Sequence, residues 1–218
     1  MRNSLDFELE LWKEYKIIAG LDEAGRGAIA GPLVVSGVIL PLNFQNPLIQ
    51  DSKKLSVSQR EEAYSIILKE ALEYKVVFKT VEEVERQNPL FATKEAMKEI
   101  ILSFERKPEV SLIDGKEEVK IDNFKTISII SGDSKSINIA AASIISKVTR
   151  DEFMISLSNH YPNYHWDNNK GYPNKLHISA LLKYGICDLH RKTYEPIKSL
   201  IKDNCNIKSI YDKYKIII

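Results

Sequence analysis

Apolar residues along the 218-residue chain fall into short runs with strand character and longer stripes with helical spacing. Ile17, Ile18, Ala19 and Leu21 form a brief apolar run with a β-branched start, which predicts a buried strand. Leu33 to Leu40, rich in β-branched residues, predicts a second. Residues 5–14 read as a short helix before the first strand. Ser56-x-x-Gln59 and Ser58-x-x-Glu61 are alternative capping boxes for a helix whose apolar stripe is Tyr64, Ile67, Leu68, Ala71 and Leu72. Tyr74 to Thr80 supplies another strand. Asn88 and Pro89 suit the N-cap and first position of a helix carrying Ala96, Met97, Ile100, Ile101 and Phe104 inward.

The second half repeats the logic. Val110 to Gly115 and Thr126 to Ile130 predict two more strands. Residues 137–160 predict a long helix with Ala141, Ile144, Ile145 and Val148 on one face and Ser143, Lys147 and Arg150 on another. After an aromatic, polar loop and Gly171-Tyr172-Pro173-Asn174 comes a last clear helix, with Leu181 and Leu182, ending at Gly185. This order is that of a mixed-sheet α/β domain.

Composition narrows the class. The chain is 44% hydrophobic and 28% charged, as an ordinary globular protein is. Nowhere are there about 18 consecutive apolar residues to span a bilayer, and the acidic start is unlike a secretory signal, so a cytoplasmic location and no membrane partner are expected. Cys187 and Cys205 lack metal-ligand spacing and read as free thiols. The net charge of +1 hides an asymmetry, because residues 1–132 carry four more acids than bases and residues 133–218 five more bases than acids. An excess of that size is compatible with a phosphate-binding face and equally with solvated helix surface.

The candidate chemistry lies where strands end. Asp22 and Glu23 close the first apolar run and lead into Gly25-Arg26-Gly27. Asp114 closes Val110–Ile113, and Asp133 follows Thr126–Ile130 through Ser131-Gly132. A single acid at a strand end is usually a solvated turn residue. Three strands delivering acids form a set that suits a hard divalent cation, which takes several oxygen ligands. Gly25, Gly27 and Gly31 superficially suggest a dinucleotide fingerprint, but that pattern must open a helix, and here a strand follows.

These segments resemble the type 2 ribonucleases H, the ribonuclease HII family. The resemblance rests on Ile17 to Pro32 with its Asp-Glu and Gly-Arg-Gly, on Asp51-Ser52-Lys53-Lys54-Leu55, Leu112–Gly115 and Gly132–Ser136, and on the Ala140–Asp151 block. It continues through Gly171–His177, where Asn174 replaces a usual Thr, and His190–Pro196, where Thr193-Tyr194 replaces Ser-Phe. It implies a ribonuclease H-like five-stranded mixed sheet flanked by helices over residues 1–190, with a small helical C-terminal extension over 191–218. Only 21 residues precede Asp22, which favours type 2 over the type 3 relatives with their added N-terminal domain.

The activity implied is endonucleolytic hydrolysis of RNA in RNA–DNA hybrids and incision 5′ of single ribonucleotides in duplex DNA, leaving 3′-hydroxyl and 5′-phosphate ends. Asp22, Glu23, Asp114 and Asp133 become catalytic ligands of two Mn2+ or Mg2+ ions. Gly25, Arg26, Gly27, Lys53, Lys54, Ser143, Lys147, Arg150 and Tyr172 become substrate-binding residues, with Tyr172 against the sugar at the cleavage junction. A monomer is expected. The competing readings are a catalytically silent nucleic-acid binder, set aside by the presence of all four acids, and another nuclease of the superfamily, set aside by the Gly-Arg-Gly and Gly-Tyr-Pro motifs together.

Overall fold

The computed structural model describes residues 4–202. In chain order its elements are helix α1 (Ser4–Leu11), strands β1 (Ile18–Ala24) and β2 (Leu33–Ile39), helix α2 (Val57–Glu70), strand β3 (Glu73–Lys79), helices α3 (Val81–Gln87) and α4 (Pro89–Ser103), strands β4 (Val110–Asp114) and β5 (Thr126–Ile129), and helices α5 (Ile137–Ser158), α6 (Trp166–Asn169), α7 (Lys175–Tyr184) and α8 (Ile197–Ile201). The strands make one sheet in the order β3-β2-β1-β4-β5. β1 runs antiparallel to β2 and parallel to β4, and β4 is parallel to β5, so the sheet is five-stranded and mixed, as expected. Among the described residues no helix is long and apolar enough to cross a membrane.

The chain divides into two compact units. One comprises Met1–Ala24, Val34–Phe78 and Thr93–Thr149, and the other Gly25–Leu33, Lys79–Ala92 and Arg150–Ile218. The expected boundary at 190/191 falls within the second unit.

In the first unit two glycines record how closely helices approach the sheet. A Cβ on Gly20 would lie 2.1 Å from the backbone carbon of Asn138 at the start of α5, and one on Gly37 would meet Ile100 of α4 at 2.5 Å. Gly37 pairs with Leu21, the residue after Gly20, and successive strand residues point to opposite faces. The two helices therefore cover opposite faces of the sheet. On the α5 face lie Ile18, Val38, Leu40, Val110, Leu112 and Ile129, packed against the predicted stripe Ala141, Ile144, Ile145 and Val148. Asn138 adds a polar tie, accepting the Leu40 N–H at 2.8 Å, and the Ser36 hydroxyl donates to the Ala142 carbonyl at 2.6 Å.

The second unit is built around aromatic packing. Tyr164 and Trp166 stack at 5.3 Å, and Ile29, Ala30, Met154, Ile178, Leu181 and Ile197 complete its core. Asn174 caps α7 by accepting the His177 N–H at 2.9 Å, so the departure from Thr keeps a cap.

Some local expectations fail for identifiable reasons. Ser56, not Ser58, caps α2, in a reciprocal box with Gln59. The buried face of that helix is Ala63 and Ile67, and Leu68, about 100° round the helix from Ile67, is exposed though expected inward. The helix stops at Glu70 and the chain turns directly into β3, so Leu72, also expected inward, is exposed as well. Asn88 serves two helices, ending α3, which the periodicity did not predict, and accepting the Phe91 N–H at 3.0 Å in α4. Cys187 is a free thiol. Cys205 and most of the C-terminal extension lie outside the described residues.

Candidate active site

Asp22 and Glu23 sit inside β1 rather than in the turn beyond it. The parallel register pairs Leu21 with Ile113, so one further step sets Asp22 beside Asp114 on the α5 face of the sheet. Asp133 lies in a tight helical turn, Gly132–Ser134, after β5. That turn is tied back to β4, since the Gly132 N–H donates to Asp114 Oδ1 at 2.7 Å.

Asp22 is 6% exposed and Asp133 5%, whereas Glu23 and Asp114 are half-buried. Burial first, then the charges of Glu23 and Asp114, holds the Asp22 carboxyl well above the usual carboxylate range. Hydrogen bonds from the Glu23 N–H, at 2.7 Å, and from Ser143 offset this in part. Asp133 is likewise raised, by burial and then by Asp51, with Lys53 opposing. Such crowding of anionic oxygens destabilises the chain unless a cation is drawn to it.

The expected basic neighbours divide. Lys53 Nζ lies 3.5 Å from Asp133 Oδ2 at the end of a largely exposed side chain. Lys54 turns to Asp51 at 3.9 Å. Ser143 is buried, bonded to Asp22 and 3.0 Å from the Ser52 hydroxyl, so it orients an acid rather than standing on a wet face. Lys147 is partly exposed.

Arg150 departs from its expected role. It is fully buried in the second unit, and its Nε, Nη1 and Nη2 donate to the carbonyls of Pro32, Lys170 and Ala30 at 2.9, 2.9 and 3.1 Å. Burial lowers its pKa to about 10, and a guanidinium so committed is not displayed to a phosphate. Its work is to hold the Gly25–Pro32 segment. Arg191 does the same from the other end of the chain, donating twice to the Gly31 carbonyl (3.1 and 2.9 Å), to that of Gly25 (2.8 Å) and to that of Arg26 (3.2 Å). Sequence reasoning gave Arg191 no role, because a basic residue in a polar segment reads as solvated.

The two glycines of Gly25-Arg26-Gly27 therefore differ. Gly25 has φ +91°, and a Cβ there would lie 2.0 Å from Arg150 Nε, so no other residue fits. Gly27 is exposed, a Cβ there would meet nothing within 4 Å, and Arg26 is exposed beside it. Tyr172, in the same unit, is partly exposed, with the Arg150 guanidinium carbon 5.2 Å from its ring centroid.

Among the described residues no group of three or more Asp, Glu, His or Cys side chains already stands in coordinating geometry. The case for a cation rests on charge and donor type. The donors are carboxylate oxygens only, which suits Mg2+ or Mn2+ and not a soft metal.

Comparison with known proteins bears on the family and the fold. The family model of ribonuclease HII matches residues 19–196. The chain is 43% identical over 202 residues to ribonuclease HII of Mycoplasma mycoides subsp. mycoides SC, covering 93% of this chain and 98% of that one. It is 41% identical over 195 residues to ribonuclease HII of Aquifex aeolicus, covering 89% and 97%. Among solved structures it resembles the PCNA:RNase HII complex from Archaeoglobus fulgidus, with TM-score 0.70 and 28% identity over 82% of this chain and 95% of that one. The fold is shared with ribonuclease H2 from Pyrococcus horikoshii OT3, at TM-score 0.68 and 24% identity over 92% and 100% of the two chains.

Proposed function

The chain belongs to the ribonuclease HII family of metal-dependent endoribonucleases acting on the RNA of RNA–DNA hybrids, and from that premise we propose that it also incises duplex DNA 5′ of a single embedded ribonucleotide. The observation that carries the catalytic part is the buried Asp22 carboxyl, pressed by Glu23 and Asp114 from neighbouring positions. Asp22, Glu23, Asp114 and Asp133 would hold two Mg2+ or Mn2+ ions. When bound, such ions lower the pKa of water, neutralise charge on the phosphate and stabilise the leaving oxygen.

The chain's own residues do the placing. Ser143 and the Glu23 N–H fix the Asp22 carboxylate, and the Gly132 N–H fixes that of Asp114, so two ligands are oriented before any substrate arrives. Water adds to phosphorus and the bond to the 3′ oxygen breaks. The water oxygen remains on the 5′-phosphate and a proton ends on the 3′-hydroxyl. No side-chain nucleophile is needed.

For the choice of sugar the candidate residues are Gly27 and Tyr172. The ribose 2′-hydroxyl both donates and accepts. The open surface at Gly27 supports close approach of a sugar to backbone groups, and the Tyr172 ring, held from one side by Arg150, supports contact with the neighbouring deoxyribose.

The test is a duplex containing one ribonucleotide, incubated with Mg2+ or Mn2+, with and without chelator, alongside an all-DNA control. The expected result is a single metal-dependent nick leaving a 3′-hydroxyl 5′ of the ribonucleotide. Cleavage of continuous hybrid with none of the single-ribonucleotide duplex would confine the protein to hybrid hydrolysis. Activity unaffected by chelator would remove the metal from the mechanism.

A further inference from the structure

Two fully buried histidines, His177 and His190, belong to the motifs noted in the sequence, yet the chemistry above uses neither. They stand among Trp166, Tyr164 and Cys187 in the second unit, with His190 4.7 Å edge-on from the Tyr164 ring.

Their hydrogen bonds allow one proton arrangement. The Cys187 backbone N–H, which can only donate, lies 3.0 Å from His190 Nδ1, so that nitrogen accepts and the proton is on Nε2. His190 Nε2 lies 3.1 Å from His177 Nε2. The Trp166 indole N–H, also a donor only, points at the same His177 Nε2 from 3.2 Å. His177 Nε2 therefore accepts both, and its proton sits on Nδ1. That proton meets the Tyr172 carbonyl at 3.0 Å, a group that can only accept.

The relay runs from Cys187 through His190 and His177 and ends on the main chain of Tyr172. The other side of that residue is tied as well, because its N–H donates to the Asn169 carbonyl at 2.9 Å. Asn169 is itself fixed, its amide donating to the Tyr164 carbonyl at 2.7 Å and its oxygen accepting the Gly171 N–H at 2.8 Å. With Pro173 restricting the next φ, the backbone at Tyr172 has little freedom left. This fixes its Cα–Cβ bond, from which the ring reaches to lie with its centroid 5.2 Å from the Arg150 guanidinium carbon.

We propose that His177 and His190 are positioning residues for Tyr172, which by holding its carbonyl set where the ring stands and thereby the preference for a single ribonucleotide in duplex DNA. This rests on the reading of Tyr172 as the residue that meets the junction sugar.

Paired substitutions separate positioning from mere packing. His177→Asn keeps an amide N–H near the Nδ1 position but cannot reach the Nε2 partners. His177→Gln does the reverse. The readouts are the ratio of kcat/KM on the single-ribonucleotide duplex to that on continuous hybrid, and the melting temperature. His177→Asn should hold the ratio within about twofold of wild type, while His177→Gln lowers it about fivefold, the equivalent of one lost hydrogen bond. Both should lower the melting temperature. Equal ratios in the two variants would overturn the inference.

Should either variant fail to fold, His190→Gln, which retains the donor toward His177, is compared with His190→Asn, which retains only the acceptor for Cys187. The first should keep the ratio and the second lose it. In wild-type protein, nitrogen-15 spectra near neutral pH should show His177 protonated at Nδ1 and His190 at Nε2, and any other state of either ring would overturn the relay. Tyr172→Ala decides the premise separately. An unchanged ratio there refutes the junction reading of Tyr172, whereas a lowered ratio with His177→Gln and His177→Asn alike refutes the positioning role alone.

Discussion

Asp22→Asn should make the protein more stable while removing its activity. Asp22 is almost completely buried, and the residues nearest its carboxyl in charge are Glu23 and Asp114. Two carboxylates on adjacent strands, about 5 Å apart, repel by about 3 kcal/mol at an effective dielectric of about 20. Screening and partial protonation reduce what can be recovered to about 1–2 kcal/mol. The amide keeps an oxygen for the Glu23 N–H, which now donates at 2.7 Å, so little is lost in exchange. For a chain of this length the gain amounts to a rise in melting temperature of about 2–8 °C.

The sign with pH follows from the direction of the shift. The folded-state pKa of Asp22 is above the unfolded value, so its ionised form weakens the fold at alkaline pH, and that penalty fades as pH falls through the raised folded pKa. The advantage of the Asn variant should therefore be largest near pH 8 in chelator and shrink toward pH 5. Differential scanning calorimetry of both proteins across that range is the assay, with cleavage of an RNA–DNA hybrid measured in parallel. A lower melting temperature for the variant at pH 8 in chelator would refute the reasoning, because Asp22 would then be an acid that stabilises the strand end.

Three other outcomes follow from particular contacts. Gly27→Ala should fold with stability within about 0.5 kcal/mol of wild type, since nothing lies near its Cβ, yet lose cleavage, whereas Gly25→Ala should be strongly destabilised by its φ of +91° and by Arg150; thermal melts beside activity assays check both. Lys147→Ala should fold normally and show a shallower salt dependence of substrate affinity, while Arg150→Ala should lower the melting temperature sharply by leaving three buried carbonyls without a donor. Burial lowers the pKa of His177 and of His190 to about 4, from the ordinary 6.5, so the stability tied to their neutral forms is complete above pH 6.5 and is lost as pH falls toward 4. Protonating either ring in the folded protein costs on the order of a few kcal/mol, and urea midpoints measured between pH 7 and 4 should fall steeply, less so in His190→Gln.

How far the sequence discloses the fold depends on whether the partner of each face is local. Short runs rich in apolar and β-branched residues mark all five strands, and a period of 3.6 marks the stripe Ala141, Ile144, Ile145 and Val148, because the central strands are covered on both faces and a core helix buries one face along its whole length. The acids stand out in the sequence as candidates, since a carboxylate closing an apolar run contradicts its surroundings, and the register sets Asp22 beside Asp114. Leu68 and Leu72 misled for the opposite reason. Their spacing fits a helix, but the buried face of α2 narrows to Ala63 and Ile67, which leaves Leu68 outside it, and the chain leaves α2 at Glu70, so Leu72 no longer shares the stripe.

Arg150 shows why the contacts of the second unit are hard to read from the sequence. Ser143, Lys147 and Arg150 share one helical spacing, and periodicity says only that they lie along one side of α5, not what covers that side. Ser143 is covered by Ser52 and the Asp22 carboxyl, and Arg150 by carbonyls of Ala30, Pro32 and Lys170, all far off in sequence. Within the second unit, Arg150 and Arg191 together draw the carbonyls of Gly25, Arg26, Ala30, Gly31 and Pro32 inward. With the acceptors engaged by buried guanidinium groups, Gly27 stays exposed, and a Cβ there would meet nothing within 4 Å. The glycine spacing that superficially suggests a dinucleotide loop thus covers two different situations, a close approach of Arg150 at Gly25 and open space at Gly27, where we propose that a sugar approaches. Only substitution at each position, read for stability and for cleavage, distinguishes them.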